Sequence, residues 1–296
     1  MLRVGNPGVW LCIYPFQNKI QVSNRGGSLF RIGDQRDLAA GFHFRAGIPL
    51  KNEGRRIIVG TMHRIASGID GLDNILFGGF PKGRTTLVAG EPGTGKTTLC
   101  LQYLYGGLKQ GESALFVSID EKPEYVLSDA LSLGWDLDPF LESGQLHIMD
   151  ITQHFGKLGT GEPHVDMRHV IESIMAKITQ TGASRVVIDP IAPLVFGDSQ
   201  VHQLVSYIRA LIFALEDSGD ITTLLTSYVP VGSDRVSILG VEEFATSGIV
   251  ILRLEQLQQR YVRTLRVKKM RGTRVDLSAH HIEIIADRGV VVRNPL

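Results

Sequence analysis

The stretch Gly90–Thr97 reads Gly-Glu-Pro-Gly-Thr-Gly-Lys-Thr and matches the phosphate-binding pattern G-x-x-x-x-G-K-S/T at every fixed position. The glycines let the backbone curl so that successive N–H groups, with the first turn of the following helix, surround phosphate oxygens. Lys96 can reach the β- and γ-phosphates, and the Thr97 hydroxyl can ligate Mg²⁺. We therefore expect a bound nucleotide, with Mg²⁺, at this loop. The predicted nucleotide-binding residues are Gly90, Glu91, Pro92, Gly93, Thr94, Gly95, Lys96, Thr97 and Thr98.

The sequence on either side of this loop has the strand–loop–helix order that the pattern requires. Upstream, Thr85–Ala89 is a short apolar run of strand length. Downstream, four leucines recur at spacings that suit a helix with a wide apolar face. They are Leu99, Leu101, Leu104 and Leu108. This context argues against a chance glycine-rich turn.

Later segments predict the rest of the sheet. Nearly continuous apolar runs, such as Ala114–Ile119 and Arg185–Asp189, alternate with segments of helical periodicity, such as 167–178 and 201–215. Continuous apolarity indicates strands that are buried on both faces, as in a parallel sheet. From Ile249 onward, short strands follow one another without helices, which predicts antiparallel hairpins at the sheet edge. The predicted fold class is α/β: a mainly parallel twisted sheet with helices on both faces and C-terminal antiparallel strands.

The N-terminal part of the chain differs in composition from the rest. Residues 1–60 hold nine Lys or Arg and three Asp or Glu, whereas the remainder holds 22 basic and 27 acidic residues. We expect residues 1–61 to be a basic extension of low order and residues 62–296 to form the folded domain. A second hypothesis is that the natural protein starts at Met62, where the pattern becomes orderly.

Composition limits the classes of protein to which the chain can belong. With 43% hydrophobic and 21% charged residues, it resembles an ordinary globular protein, and no apolar stretch approaches the length that spans a bilayer. Only two cysteines occur, Cys12 and Cys100, and they lie far apart, which makes a zinc ribbon or redox site improbable. We expect free thiols, a cytoplasmic location and no membrane partner.

Three carboxylates are placed to serve a bound nucleotide. Asp189 follows a buried strand. Because ligands in open parallel sheets lie beyond the carboxyl ends of the strands, Asp189 should face the same crevice as Thr97 and hold Mg²⁺ directly or through water. Asp120 and Glu121 end the strand after the loop helix, which we expect to lie close to the loop strand. Hydrolysis needs a carboxylate that orients or deprotonates water, and either member of this pair is a candidate.

Several motifs, taken in order, resemble those of the KaiC-type ATPases of the RecA superfamily. The likeness begins in Gly68–Thr98, where Gly-Ile-Asp-Gly-Leu-Asp and Gly-Gly-Phe-Pro-Lys-Gly precede the phosphate loop, and it covers about residues 62–292. The further matching segments are Phe116–Pro123, Leu133–Leu137, Arg185–Asp189, Gly240–Phe244 and Lys269–Thr273. The order of these motifs makes the resemblance more specific than the phosphate loop alone.

The resemblance implies a RecA-like P-loop NTPase core and a homo-oligomeric ring, commonly a hexamer, with ATP between subunits. It also implies that Lys269 and Arg271 act in trans on the neighbour's γ-phosphate as charge-stabilising catalytic groups. A basic strand edge is the alternative reading of this pair. The predicted catalytic residues are therefore Lys96, Asp120, Glu121, Lys269 and Arg271. The expected function is ATP hydrolysis in regulation or signalling, with a protein partner as one route for the signal.

The chain departs from the family pattern in three respects. The clock protein of the family has two such domains in tandem, and this chain has one. The element Gly240–Phe244 is more similar to that of the first, hydrolysing half, which argues against autophosphorylation at Ser233 or Ser237. The family's paired acids are usually both Glu, whereas the first here is Asp120. Its shorter side chain would weaken hydrolysis if it were the base.

Two other functions fit parts of the sequence. A RecA- or RadA-like DNA-dependent ATPase would place the loops at 152–164 and 228–240 in the bore of the ring. The net acidic folded part disfavours nucleic acid, and so does the second loop, whose only basic residue is Arg235. The other alternative is a nucleotide-gated regulatory module with little turnover.

Overall fold

The computed structural model describes residues 62–151, 167–191, 201–229, 232–233, 235–237 and 240–296, with backbone alone for 201–204 and for four short N-terminal strands. The chain divides into two compact units, Met1–Val59 and Gly60–Leu296. In the first, the four strands form an antiparallel sheet in chain order. They are β1 (Leu2–Arg3), β2 (Trp10–Tyr14), β3 (Lys19–Ser23) and β4 (Leu29–Ile32). That residues 1–61 form a low-order basic extension stays a prediction.

The second unit contains the phosphate-binding pattern. Its described strands are β5 (Arg64–Ile65), β6 (Phe80–Pro81), β7 (Thr85–Gly90), β8 (Ala114–Ser118), β9 (Leu146–Asp150), β10 (Arg185–Asp189), β11 (Thr222–Tyr228), β12 (Gly248–Leu257), β13 (Arg260–Met270), β14 (His280–Ile285) and β15 (Gly289–Pro295). Its described helices are α1 (Leu72–Ile75), α2 (Lys96–Leu108), α3 (Pro123–Ser132), α4 (Asp138–Glu142), α5 (Met167–Thr181), α6 (Val201–Asp217) and α7 (Val241–Ala245).

Nine of the described strands form one sheet, in the order β15-β14-β13-β12-β7-β11-β10-β8-β9. The six strands from β12 to β9 are parallel. Tyr228 therefore pairs with Gly90, and Asp189 with Ser118, at the carboxyl edge of the sheet. Two strands, β11 and β10, lie between β7 and β8. Strand β8, which leads into Asp120, is thus farther from the loop strand β7 than we expected. It nevertheless ends at the same edge of the sheet.

Side chains of the parallel strands alternate between two apolar cores, as the period of two along a strand requires. Within β7, Val88 packs with α2, whereas Leu87 and Ala89 pack with the residues of α5 and α6. Within β8, Phe116 lies in the core with α2, and Val117 lies in the core with α5 and α6. The strands are buried on both faces by helices, so their apolar residues run continuously.

The C-terminal strands form the antiparallel edge that the sequence predicts. Strand β12 pairs in parallel with β7 and antiparallel with β13, and β13, β14 and β15 follow as antiparallel neighbours. The predicted α/β class, with helices on both faces and antiparallel strands at the C-terminal end, is confirmed. The loop strand β7 lies inside the sheet, so its carboxyl end is held on both sides.

Candidate functional site

The phosphate loop connects β7 to α2 through a backbone conformation that favours glycine at two positions. Gly93 and Gly95 have φ of 79° and 98°, the left-handed region that favours glycine. A Cβ on Gly95 would also lie 2.9 Å from Ile284 Cδ1. The Thr94 hydroxyl is buried and donates to Glu91 O at 2.8 Å, which closes the turn from within. The local sequence therefore fixes a tight loop immediately before the first turn of α2.

Lys96 and Thr97 open α2 and face the crevice at the carboxyl edge of the sheet. Lys96 Nζ donates to Glu91 O at 3.0 Å, which holds the ammonium group over its own loop. Burial lowers the pKa of Lys96, and the negative charge of Asp189 opposes this effect. An ammonium group in this position is available to phosphate oxygens.

Asp189 ends β10 and is 8% exposed. The hydroxyl of Thr226, in the neighbouring strand β11, donates a hydrogen bond to one of its carboxylate oxygens. That bond orients the carboxylate and uses only one of its two oxygens. A carboxylate and a hydroxyl at one crevice suit Mg²⁺, which prefers oxygen ligands and is usually held by one or two carboxylates together with substrate phosphates. Asp189 and Thr97 fit that requirement.

Asp120 and Glu121 lie just beyond β8. The Ser118 hydroxyl donates to the carbonyl oxygen of Glu121, which fixes the bend that follows the strand. Burial raises the pKa of Asp120, and the charge of Asp189 raises it further. Burial also raises the pKa of Glu121, with smaller contributions from Asp129 and Asp189. Both carboxyls are therefore more basic than a solvated carboxyl, which favours proton transfer from water.

One crevice, with a volume of about 780 Å³, brings these groups together. Its walls include six of the predicted residues: Pro92, Lys96, Thr97, Asp120, Glu121 and Asp189. They also include Lys122, Tyr125 and Tyr228, which the sequence reasoning missed. Tyr228 could have been found, because it ends an apolar strand, as Asp189 does. Lys122 and Tyr125 carry no comparable signal.

Lys269 and Arg271 lie away from this crevice. Lys269 Nζ donates to the carbonyl oxygens of Glu243 at 2.8 Å and Thr246 at 2.7 Å, and Arg271 Nη2 donates to Phe244 O at 3.0 Å. Burial lowers the pKa of Lys269, and the charge of Arg271 lowers it further. Both cations thus contact the carbonyl end of α7. The structure does not bring them into the crevice of their own chain.

The position of Lys269 in the sheet explains this separation. Lys269 pairs with Ile249, and Ile249 pairs with Leu87, three residues before Gly90. At about 3.3 Å per residue, Lys269 lies about 10 Å back from the loop end of the sheet. Arg263, nearer the loop, instead donates to Gly93 O at 3.2 Å.

Comparison with known proteins places this arrangement in a family. A sequence model described as the KaiC ATPase matches residues 65–296. This chain belongs to the KaiC family of ATPases. The family match includes every site residue discussed above, from the phosphate loop to Lys269 and Arg271.

Individual KaiC-family proteins support the assignment. A UPF0273 protein of Pyrococcus horikoshii is 34% identical over 235 residues, which span 77% of this chain and 93% of that protein. The circadian clock oscillator protein KaiC of Thermosynechococcus vestitus is 36% identical over 216 residues, 71% of this chain but 40% of its own length. The crystal structure of a KaiC-like protein from Pyrococcus horikoshii aligns with a TM-score of 0.69 at 29% identity, covering 79% of this chain and all of that one. The fold is that of a single KaiC-like, RecA-superfamily domain.

Two predicted features lie wholly or partly outside the described residues. The loop at 152–164 lies outside the described residues, and the loop at 228–240 is described only in part. In that part, Ser237 is buried and its hydroxyl contacts Glu242 and Glu243. Within the described part of the chain, no helix has both the length and the apolar character that a bilayer crossing needs.

Proposed function

We propose that the chain is an Mg²⁺-dependent ATPase that cleaves ATP held on Gly90–Thr97. The observation that carries this proposal is the shared crevice, where a phosphate loop, a metal-side carboxylate and two carboxyls of raised pKa meet. Membership in the KaiC ATPase family supports the same reaction. Neither the crevice nor the family alone would distinguish nucleotide binding from hydrolysis.

The chain's own groups supply most of what phosphoryl transfer requires. Loop N–H groups and Lys96 hold the phosphates and stabilise charge on the transferred group. Thr97 and Asp189 would hold Mg²⁺. When bound, the ion would neutralise the negative charge that develops on the phosphates. Thr226 keeps the Asp189 carboxylate oriented for that contact.

A water molecule attacks the γ-phosphorus in line with the departing ADP oxygen. Asp120 or Glu121 accepts the water proton as the new O–P bond forms and the β–γ bridging O–P bond breaks. The products are ADP and inorganic phosphate. Because both carboxyls have raised pKa values, either accepts a proton more readily than a solvated carboxyl. The longer Glu121 and the shorter Asp120 remain alternatives for the base.

The remaining charge stabilisation comes from a neighbouring subunit. Lys269 and Arg271 are directed at α7 and lie away from their own phosphate loop. A homo-oligomeric ring, with a hexamer as the expected form, would bring them to the γ-phosphate of the next subunit. Each site would then be complete only in the assembly.

The cycle serves regulation or signalling through a protein partner in the cytoplasm. The similarity to circadian clock oscillator proteins supports such a role, and the scarcity of cysteine supports the location. A DNA-dependent ATPase is the second candidate, because the family belongs to the RecA superfamily. The acidic balance of the folded part weighs against it. A nucleotide-gated module with little turnover is the third.

Phosphate release by the purified chain tests the proposal. We expect turnover that requires Mg²⁺, stops on chelation and is lost in Lys96→Ala. A surface variant, Asp220→Ala, serves as control, because the Asp220 side chain is 83% exposed and contacts the exposed Lys82. Stimulation by single-stranded DNA would favour the second candidate. Tight ATP binding without phosphate release would favour the third and contradict the ATPase proposal.

A further inference from the structure

Glu242, in the first turn of α7, is a buried acid that the proposed reaction leaves without a role. It is 0% exposed, and its two carboxylate oxygens accept hydrogen bonds from Ser227 Oγ at 3.3 Å and Ser237 Oγ at 3.2 Å. Within the described residues, it has no cationic partner. Burying a carboxylate with hydroxyl partners alone costs more than burying an apolar side chain of similar size. Stability therefore gives no reason for an acid in this position.

Strand β11 contacts both Glu242 and Asp189, the carboxylate that is proposed to hold Mg²⁺. Ser227 donates to Glu242, and the preceding residue, Thr226, donates to Asp189. Consecutive side chains of a strand point to opposite faces, so the end of β11 contacts both groups at once. Any movement of this strand end at the nucleotide site moves the anchor of α7 as well.

The other end of α7 holds the cations expected to act on the neighbour. The last carbonyl groups of a helix lack partners within it and attract positive charge. Lys269 and Arg271 occupy these carbonyls at 2.7 to 3.0 Å. In this arrangement both cations are engaged within their own subunit. To reach a neighbouring phosphate they must leave α7 or move with it.

The start of α7 has two available hydrogen-bond arrangements. Ser237 Oγ lies 3.2 Å from a carboxylate oxygen of Glu242 and 3.2 Å from one of Glu243. A hydroxyl group carries one proton, so it serves one carboxylate at a time. Glu243 also contacts Lys268 at 2.9 Å through its other carboxylate oxygen, so it keeps a partner when Ser237 donates to Glu242. An exchange of partners here would shift α7 relative to β11 without breaking the sheet.

We propose that Glu242 is a positioning residue that couples the Asp189 side of one nucleotide site to the Lys269 and Arg271 pair that completes the next. The coupling runs from Asp189 through β11 and Glu242 to α7 and its carbonyls. A nucleoside triphosphate bound at one site thereby sets whether that subunit's cations stay on α7 or extend to the neighbour. This inference rests on the proposed ATPase with trans-acting cations, and it adds the element that links successive sites.

Hydrogen exchange of the α7 amides tests the coupling without requiring turnover. In the wild type, we expect Mg²⁺ with a β,γ-imido ATP analogue to change the exchange rates of Val241–Ala245. In Glu242→Ala that response should disappear, although the variant still binds the analogue with an affinity within about twofold of the wild type. A response in Glu242→Ala equal to that of the wild type would overturn the proposal, as would the absence of a response in the wild type.

A double-mutant cycle tests whether Glu242 acts through Lys269. We expect Glu242→Ala to lower kcat about tenfold with little change in KM, and to cause no further loss in a Lys269→Ala background. Glu242→Gln should recover most of the activity, because its amide oxygen accepts from Ser227 and its NH₂ group donates to Ser237. Losses that multiply in the double variant would overturn the proposal.

Two controls separate coupling from simple destabilisation. Ile178→Ala removes a buried side chain from α5, a different helix, and lowers stability. It should leave kcat and the α7 response unchanged. If Glu242→Ala does not fold, the same two assays are carried out on Ser237→Ala, which removes one of the hydrogen bonds to Glu242. If the wild type releases no phosphate, the proposed function fails, and the exchange experiment still decides the role of Glu242.

Discussion

Replacing the two crevice carboxyls one at a time, as Asp120→Asn and Glu121→Gln, identifies the base. Each change removes a proton acceptor and keeps the size of the side chain. A general base contributes about 10²- to 10⁴-fold to a rate, and each tenfold corresponds to about 1.4 kcal/mol of barrier. We therefore expect one of the two variants to lose about 3 to 5 kcal/mol of transition-state stabilisation. The other should change turnover only a few-fold.

The pKa shifts give the same prediction a pH dependence. The base works in its deprotonated form, so turnover rises with pH through the base's pKa and then levels off. Burial raises both carboxyl pKa values above their ordinary values of 3.8 for Asp120 and 4.5 for Glu121. The acid limb of kcat/KM should therefore lie at higher pH than for a solvated carboxyl, and it should vanish in the variant that lacks the base.

Phosphate release and the binding of a fluorescent ATP analogue, measured side by side, separate the chemical step from binding. Lys96, Thr97 and Asp189 remain in both variants, so the dissociation constant should stay within about threefold of the wild type. The reasoning is refuted if both single variants and the double variant keep more than about a tenth of wild-type turnover. A parallel loss of affinity and turnover would show that the carboxyls hold the nucleotide.

Two further predictions concern buried polar contacts. Thr226→Val removes the hydroxyl that donates to Asp189 and should lower the free energy of unfolding by about 1.5 to 3 kcal/mol, measured by urea denaturation, because a hydrogen bond to a charged group is lost. An unchanged midpoint would contradict that contact. Glu112→Ala leaves the Arg185 guanidinium, whose residue is 0% exposed, without its carboxylate partner, and should cost about 3 kcal/mol in the same assay. The control is Glu283→Ala, which removes the exposed Glu283–Arg293 ion pair. A cost for Glu112→Ala no larger than that of this control would refute the prediction.

The parts of the site that depend on neighbouring residues in the chain could be predicted from the sequence. The phosphate loop needs glycines, lysine and threonine at fixed spacing between a strand and a helix, and β7 and α2 supply that context. Asp189 was also predictable, because a buried parallel strand that ends in an acid points it toward the ligand edge. In both cases the signal is local, so periodicity and spacing are sufficient.

The parts that depend on strand order could not be predicted. No pattern in the sequence shows that β11 lies between β7 and β10, and only this order lets Thr226 contact Asp189. Glu242 belongs to a segment that the family resemblance already included, yet its burial against Ser227 depends on the same strand order. The contacts of Lys269 with the α7 carbonyls likewise join distant segments. Such contacts follow from topology, which apolar periodicity leaves open.

Complementation between two impaired variants tests the central claim, that each site is completed by the next subunit. Lys96→Ala lacks a working phosphate loop and keeps Lys269, whereas Lys269→Ala has the reverse defect. In mixed rings with equal parts of each, about a quarter of the interfaces combine an intact loop with an intact cation. We predict that the mixture recovers about a quarter of wild-type phosphate release. A mixture no more active than the two variants measured apart would contradict the claim.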